Sequence, residues 1–283
     1  MENQRDKPHF VPPPTSVYDE TDGRYNSDAR TYAEYNYLRP GIAAAIKRRH
    51  FDAALQLSRG RAGHTDVIDA GCADGIFLPS LSRYFGRVVG FERDADFARL
   101  ARRVVERLRL DNVTVLHNPG GTVDELRAAM PSGRYDLLFL LEVIEHVGTR
   151  EHMYEDKVEF MCEASELLHA DGEIIMSVPH MVGPSFLLQR LGLWLTRSRR
   201  EPISLHDLER AVVHADTDAL EADWEPEKHL GFNHRKLERT MRTHFDLRRR
   251  KRLLFQTVYL LRRSHRTARR LSRGDGPPTG RAA

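Results

Sequence analysis

Cysteine is nearly absent from the 283 residues: Cys72 and Cys162 are the only two, far apart and in no CxxC pair. That excludes a disulfide framework and a cysteine-built zinc site, and it points to a reducing compartment. Long hydrophobic runs are missing too. No stretch reaches the roughly 18 apolar residues that cross a bilayer. The opening "MENQRDKPHFVPPPTS" is polar and proline-rich, without the apolar centre of a signal peptide. A soluble, cytoplasmic protein is expected. The turn after the first predicted strand also lacks the GxGxxG spacing of a dinucleotide-binding loop.

What is present is an ordinary globular composition, with 40% hydrophobic residues and a net charge of +3. The charge is unevenly spread. Between Arg248 and Arg273 there are eleven Lys or Arg and no Asp or Glu, which leaves the remainder net negative. A basic C-terminal segment on an acidic body could reach RNA or an anionic membrane surface. A solvated strand face followed by a frayed tail is the plainer reading.

Periodicity organises the rest. Residues 1–25, with Pro12-Pro13-Pro14, read as a flexible arm. Residues 28–58 read as helix interrupted near Pro40. Strands are expected over 65–70, 86–92, 112–117, 134–142 and 172–179, with helices over 75–85, 94–110, 122–130 and 155–169. Such alternation implies an α/β protein with a parallel sheet covered on both faces. After a helix at 233–244, "FDLRRRKRLLFQTVYLLRR" makes two strands with no helix between them, so one must run antiparallel. Residues 184–225 interrupt the pattern with an apolar helix at 186–198 and a second helix at 204–215. Such an insertion suits a lid or an interfacial helix, and equally a helix packed on the core.

In "VIDAGCADG" (67–75), Asp69 ends a buried strand, and Gly71 and Gly75 frame the turn into a helix. Glycines there let backbone amides approach a ligand. Glu92 closes the second strand, where a carboxylate can accept from both hydroxyls of a ribose. In order and at this spacing, the elements signal nucleoside binding.

These stretches resemble the class I S-adenosylmethionine-dependent methyltransferases over about residues 65–262. "VIDAGCADG" resembles the family's first motif, "VVGFERD" its second, "YDLLFLLEVIEHV" the fourth-strand motif, and "LLHADGEIIMSVP" the fifth strand with its preceding turn. The resemblance implies a Rossmann-like, seven-stranded sheet, mostly parallel with an antiparallel terminal hairpin and helices on both faces. It implies a methyltransferase domain over 26–263 that includes the 184–225 insertion, followed by a basic, disordered tail over 264–283. It also implies S-adenosylmethionine as cofactor, held by Asp69, Gly71, Cys72, Gly75, Glu92, Arg93 and Asn118. Two departures stand out. Ala73 replaces the middle glycine of the family's GxGxG. "HNPGG" replaces an acid after the third strand, so that Asn118 would accept the adenine amino group through its amide oxygen.

"EVIEHV" places Glu142, Glu145 and His146 at i, i+3 and i+4, on one face if helical. Two carboxylates and an imidazole could bind Mg²⁺, Mn²⁺ or Zn²⁺. The arrangement is similar to small-RNA 3′-terminal 2′-O-methyltransferases and ubiquinone-pathway O-methyltransferases. In the RNA enzymes it implies a further His shortly before the last helix, matched by His229 with His234 in reserve. Without metal, His146 remains a general base beside Glu145. His180, after the fifth strand, is a candidate substrate contact, whereas His9, His50, His64 and His265 read as solvent-exposed. Tyr25, Tyr32, Tyr35 and Tyr37 either close over the cofactor or pack within a helix.

The leading expectation is methyl transfer to oxygen of a small-molecule or lipid-like acceptor. The alternatives are an RNA 3′-terminal 2′-O-methyltransferase, a non-catalytic cofactor-binding scaffold, and a nucleotide-dependent dehydrogenase. The last is disfavoured by the glycine spacing and the terminal hairpin.

Overall fold

A computed structural model describes residues 7–19, 25, 29–63, 65–130, 133–195, 202–265 and 267. Its elements run α1 (Ile42–Leu57), β1 (Asp66–Ala70), α2 (Leu78–Tyr84), β2 (Arg87–Glu92), α3 (Ala95–Leu108), β3 (Val113–His117), α4 (Val123–Ala129), β4 (Tyr135–Leu141), α5 (Met153–Ser165), β5 (Leu168–Pro179), α6 (Pro184–Leu195), α7 (Leu205–Glu209), α8 (Asp218–Glu221), α9 (His234–Met241), β6 (Phe245–Arg252) and β7 (Gln256–Arg263). The strands form a seven-stranded sheet in the order β3-β2-β1-β4-β5-β7-β6. β1 pairs in parallel with β2 and β4, β2 in parallel with β3, and β6 antiparallel with β7. This is the Rossmann-like arrangement expected from the alternation of strands and helices.

The chain divides into two compact units, 1–141 with 165–176, and 142–164 with 177–283. In the first, β4 buries nearly every residue, as an almost continuous apolar run requires of a strand covered on both faces. α3 follows its helical period, burying Ala98, Leu100, Ala101 and Val104. Its N-terminus is capped by the Asp94 side chain, which accepts from the Asp96 and Phe97 amides.

Part of the segment expected as a flexible arm is packed. Phe10, Val17 and Tyr18 are buried, and Phe10 stacks on Phe51 at 4.7 Å. The prolines fix an extended path that delivers these rings to α1 and its neighbours. His50 also departs from expectation. It is buried against Phe51, at 4.0 Å between ring centroids, and its Nδ1–H donates to the Lys47 carbonyl. Burial lowers its pKa to about 4. His9 and His265 are exposed, and His64 lies outside the described residues.

The second unit is built around Phe186, Trp224, Phe232, Phe245 and Tyr259, all fully buried. In the 184–225 insertion, α6 begins at Pro184, and residues 196–198 of the helix expected at 186–198 lie outside the described residues. The helix expected at 204–215 is a five-residue α7 followed by a π-turn over Arg210–His214. No described helix is long and apolar enough to cross a membrane. Cys72 and Cys162 form no disulfide. Of the expected tail over 264–283, all but 264, 265 and 267 lie outside the described residues.

Candidate functional site

In the first unit, β1 ends and the chain turns back on itself through a run of left-handed residues. Gly71 and Gly75 have φ of 81° and 84°, and Ala73 between them has φ of 47°. A side chain at Gly75 would place its Cβ 3.0 Å from the Ala101 Cα. Glycine there allows the turn to press against α3. At Ala73 the family's middle glycine is replaced by the smallest side chain that still tolerates the strained region. The Gly71 and Cys72 amides donate to the Phe91 carbonyl at 2.8 and 2.9 Å, locking the turn to β2. Cys72 is fully enclosed against Gly90, where an added Cβ would lie 3.1 Å from its sulfur. Its thiol is therefore part of the packing that sets the loop.

Glu92 at the end of β2 is tied down at both oxygens. Oε2 accepts from the Ala73 amide at 2.9 Å and Oε1 from the Asp94 amide at 2.9 Å. The carboxylate is therefore oriented before any ligand arrives. Arg93 beside it is exposed, and its carbonyl accepts from His117 Nε2 at 3.0 Å.

Three buried oxygens in this region have no hydrogen-bond partner: Asp69 Oδ2, Asp74 Oδ1 and Asn118 Oδ1. The amide nitrogen of Asn118 donates to the Thr122 carbonyl at 3.2 Å, which leaves its oxygen as the acceptor on offer. Buried polar atoms are rarely left unsatisfied in a folded protein. Burial, reinforced by Glu92, raises the Asp69 pKa to about 7.

Asp74 was not foreseen as a site residue. It is fully buried, and its Oδ2 accepts from the Ala33 amide at 2.6 Å. Tyr18 Oη donates to its carbonyl at 3.3 Å. Burial lifts its pKa to about 7 even though the Ala33 amide bond pulls the other way. An acid between Ala73 and Gly75 in a buried turn was the available signal. The tyrosines gather nearby around Phe97, which lies 6.2 Å from Tyr25 and 5.9 Å from Tyr32, with Tyr37 5.9 Å from Tyr32. Tyr35 faces solvent.

In the second unit, the three residues Ile144–His146 form a single 3-10 turn. Glu142 precedes it in the left-handed region, with φ of 57°. It therefore does not share a helical face with Glu145 and His146, contrary to the i, i+3, i+4 expectation. Its carboxylate is held by Ser177, whose hydroxyl donates to Oε1 at 2.8 Å.

Glu145, His146 and His229 do come together, with one ligand atom from each within 4.8 Å of the others. His229 Nδ1 lies 4.0 Å from Glu145 Oε1, and the two imidazole rings are 4.8 Å apart. Glu145 is fully buried and neither of its oxygens accepts a hydrogen bond. Burial, then the nearby Glu142 charge, raises its pKa well above the carboxylate range. His146 Nδ1 contacts the Pro226 carbonyl. A carbonyl only accepts, so Nδ1 carries the proton and Nε2 is the basic nitrogen of the neutral ring. Lys157, also unforeseen, is buried beneath this turn. It donates to the Glu145 and Val147 carbonyls and lies 4.2 Å over the Trp224 ring. Burial lowers its pKa to about 7.

His234 does not join this group. It stacks on His180 at 4.6 Å, and His180 bonds Thr257 Oγ1 at 2.7 Å. The two form a separate pair, so the reserve ligand is displaced and His180 has a structural partner.

The comparisons with known proteins bear on the family and the fold. A family model described as a methyltransferase domain matches residues 35–222. A ubiquinone biosynthesis O-methyltransferase from Sodalis glossinidius is 27% identical over 171 residues, covering 60% of this chain and 63% of the relative. One of the same name from Salmonella paratyphi A is 27% identical over 150 residues, covering 53% and 57%. The chain thus spans about three fifths of the length of these curated relatives. Among solved structures, the N-methyltransferase NodS of Bradyrhizobium japonicum in complex with S-adenosylhomocysteine is similar in fold. It has a TM-score of 0.52 at 11% identity, covering 88% of this chain and 99% of that one. A protein from Pyrococcus horikoshii is similar with a TM-score of 0.53 at 16% identity, covering 83% and 97%.

Proposed function

The chain belongs to the methyltransferase-domain family, and from that premise we propose that it methylates an oxygen of a small aromatic, quinone-like or lipid-like acceptor, using S-adenosylmethionine. The observation that carries the cofactor reading is the set of preformed acceptors in the first unit. Glu92 is fixed by two backbone amides, and Asp69 Oδ2 and Asn118 Oδ1 are buried without partners. A nucleoside with a ribose diol, an adenine amino group and an ammonium group would satisfy all three chemistries. Glu92 would accept from the ribose hydroxyls and Asn118 from the adenine amino group. Gly71 and Gly75 keep the loop free of side chains where the cofactor backbone passes.

When bound, S-adenosylmethionine supplies a methyl group already activated on sulfonium. The protein therefore has to align the acceptor, exclude water and remove a proton. Alignment alone accounts for roughly 7–11 kcal/mol of a barrier in well-oriented systems. For the proton, His146 offers its ring, oriented by the Nδ1–H bond to the Pro226 carbonyl.

The donor set Glu145, His146 and His229 also fits a divalent ion. It has one carboxylate with both oxygens unsatisfied and two imidazoles close by. Each of the three would hold the ion through one ligand atom, and these atoms lie within 4.8 Å of one another. Such an ion would lower the pKa of an acceptor hydroxyl. Transfer to oxygen is supported by the names of the relatives from Sodalis and Salmonella, and by this base-bearing group.

Calorimetric titration of S-adenosylhomocysteine into wild type and Glu92→Ala tests the cofactor reading. Micromolar binding, weakened about tenfold or more by the substitution, is the expected result for losing charged hydrogen bonds. Folded protein that binds no S-adenosylhomocysteine rules the reading out.

A further inference from the structure

A cavity of about 600 Å³ in the second unit has five arginines among its twelve lining residues. Arg235, Arg239 and Arg242 enter it from α9 and the residue that follows, and Arg250 and Arg252 from β6. Glu238 is the one acidic side chain among the lining residues. The sequence sets which of these side chains share a face. Residues 235, 238, 239 and 242 fall on one face of a helix, and 250 and 252 on one face of a strand. Leu237 and Met241 on the other side of α9 are buried, which fixes the direction of the arginine row.

The cations are unequally neutralised. Glu238 Oε1 pairs with Arg242 at 2.8 Å and Arg250 at 3.0 Å, and Tyr259 Oη donates to its other oxygen at 3.0 Å. Among the described residues, Arg235, Arg239 and Arg252 form no ion pair. His180 and His234 complete the wall as neutral rings, since burial lowers both pKa values. Guanidinium groups gathered without counterions in a concavity create a strongly positive potential. Their planar forks suit tetrahedral oxyanions.

We propose that this cavity binds a phosphate-bearing molecule, with Arg235, Arg239 and Arg252 contacting the phosphate. Concavities of roughly 300–1,000 Å³ hold drug-sized ligands, so there is room for the body that carries the phosphate. A nucleic-acid strand is the poorer match. Its backbone calls for cations spaced along a track, whereas these line a single cavity from two elements. The proposal is independent of the methyl-transfer reading. It gives part of the basic stretch at 248–273 a defined role, with Arg250 and Arg252 turned into a cavity.

The test uses the full chain, the double variant Arg239→Gln/Arg252→Gln, and Arg248→Gln as a β6 control outside the cavity. Both targets of the double variant are exposed, so folding is not at stake, and melting temperatures verify this. Glycerol 3-phosphate is titrated by calorimetry, and phosphatidylcholine vesicles with and without phosphatidic acid are tested by co-sedimentation. Saturable glycerol 3-phosphate binding that the double variant weakens about tenfold or more, and the control does not, upholds the site with a soluble source. Co-sedimentation that requires phosphatidic acid and is lost in the double variant alone upholds it with a lipid headgroup as the source. Absence of binding in both arms, or a loss that Arg248→Gln reproduces, overturns it.

Discussion

Ser177 and Glu142 are bonded in both directions: the serine hydroxyl donates to Glu142 Oε1 at 2.8 Å and accepts from the Glu142 amide at 3.0 Å. The pair fixes the Glu142 carboxylate to Ser177, and Glu142 is not one of the three residues, Glu145, His146 and His229, whose ligand atoms gather within 4.8 Å. The two acids should therefore behave differently toward metal. Zn²⁺ titration of Glu142→Gln is expected to match wild type within about threefold, and Glu145→Gln to lose the site, since removing a charged ligand forfeits roughly 2 kcal/mol or more. Equal losses in both variants would return Glu142 to the ligand set.

Gly75 is where the cofactor loop presses on α3. Alanine there meets two penalties at once, a φ of 84° and a Cβ 3.0 Å from the Ala101 backbone. Gly75→Ala is expected to lower stability by about 1–3 kcal/mol, read from the urea midpoint at unchanged slope. An unchanged midpoint would mean the loop relaxes freely.

Asp74 gives a pH dependence whose sign can be worked out. Its pKa is about 7 when folded, against 3.8 as the ordinary value, so the native state keeps a proton that the unfolded chain releases. Stability from this group is present below pH 4 and is lost as pH rises toward 7. Asp74→Asn cannot ionise. The melting temperature of the variant relative to wild type should therefore rise between about pH 4 and pH 7 and level off above that. A pH-independent difference would show that Asp74 is ionised in the fold.

The strands and main helices were legible because their apolar periods are strong. β4 is an almost unbroken apolar run, and α3 repeats at i, i+3 and i+4. The glycine loop and Glu92 were legible because turn chemistry is local. What escaped was set by contacts distant in sequence. His50 looks polar on paper, yet α1 packs it against Tyr37, 13 residues earlier. Glu142 reads as part of a helical face until Ser177, 35 residues on, supplies its partner. Asp74 takes its bond from Ala33, 41 residues earlier. The arginine cavity was visible only as a charge run, because the convergence of α9 with β6 is a tertiary event.

The apolar face of α6 separates a covering helix from a core one. Leu187, Leu188, Leu191 and Trp194 lie within one arc of the helix and are 36% to 60% exposed, whereas Phe186 on the other side is fully buried. Side chains that exposed contribute little to folding, and surface substitutions usually change stability by about 0.5 kcal/mol or less. The triple variant Leu188→Ser/Leu191→Ser/Trp194→Ser should therefore melt within a few degrees of wild type. If the face covers an apolar acceptor, KM for that acceptor should rise while S-adenosylhomocysteine affinity stays the same, because none of the cofactor residues lies on α6. Phe186→Ser, by contrast, should lower the melting temperature sharply, since it empties a filled core position. A large drop in melting temperature for the triple variant would mean that α6 holds the fold together rather than meeting a ligand.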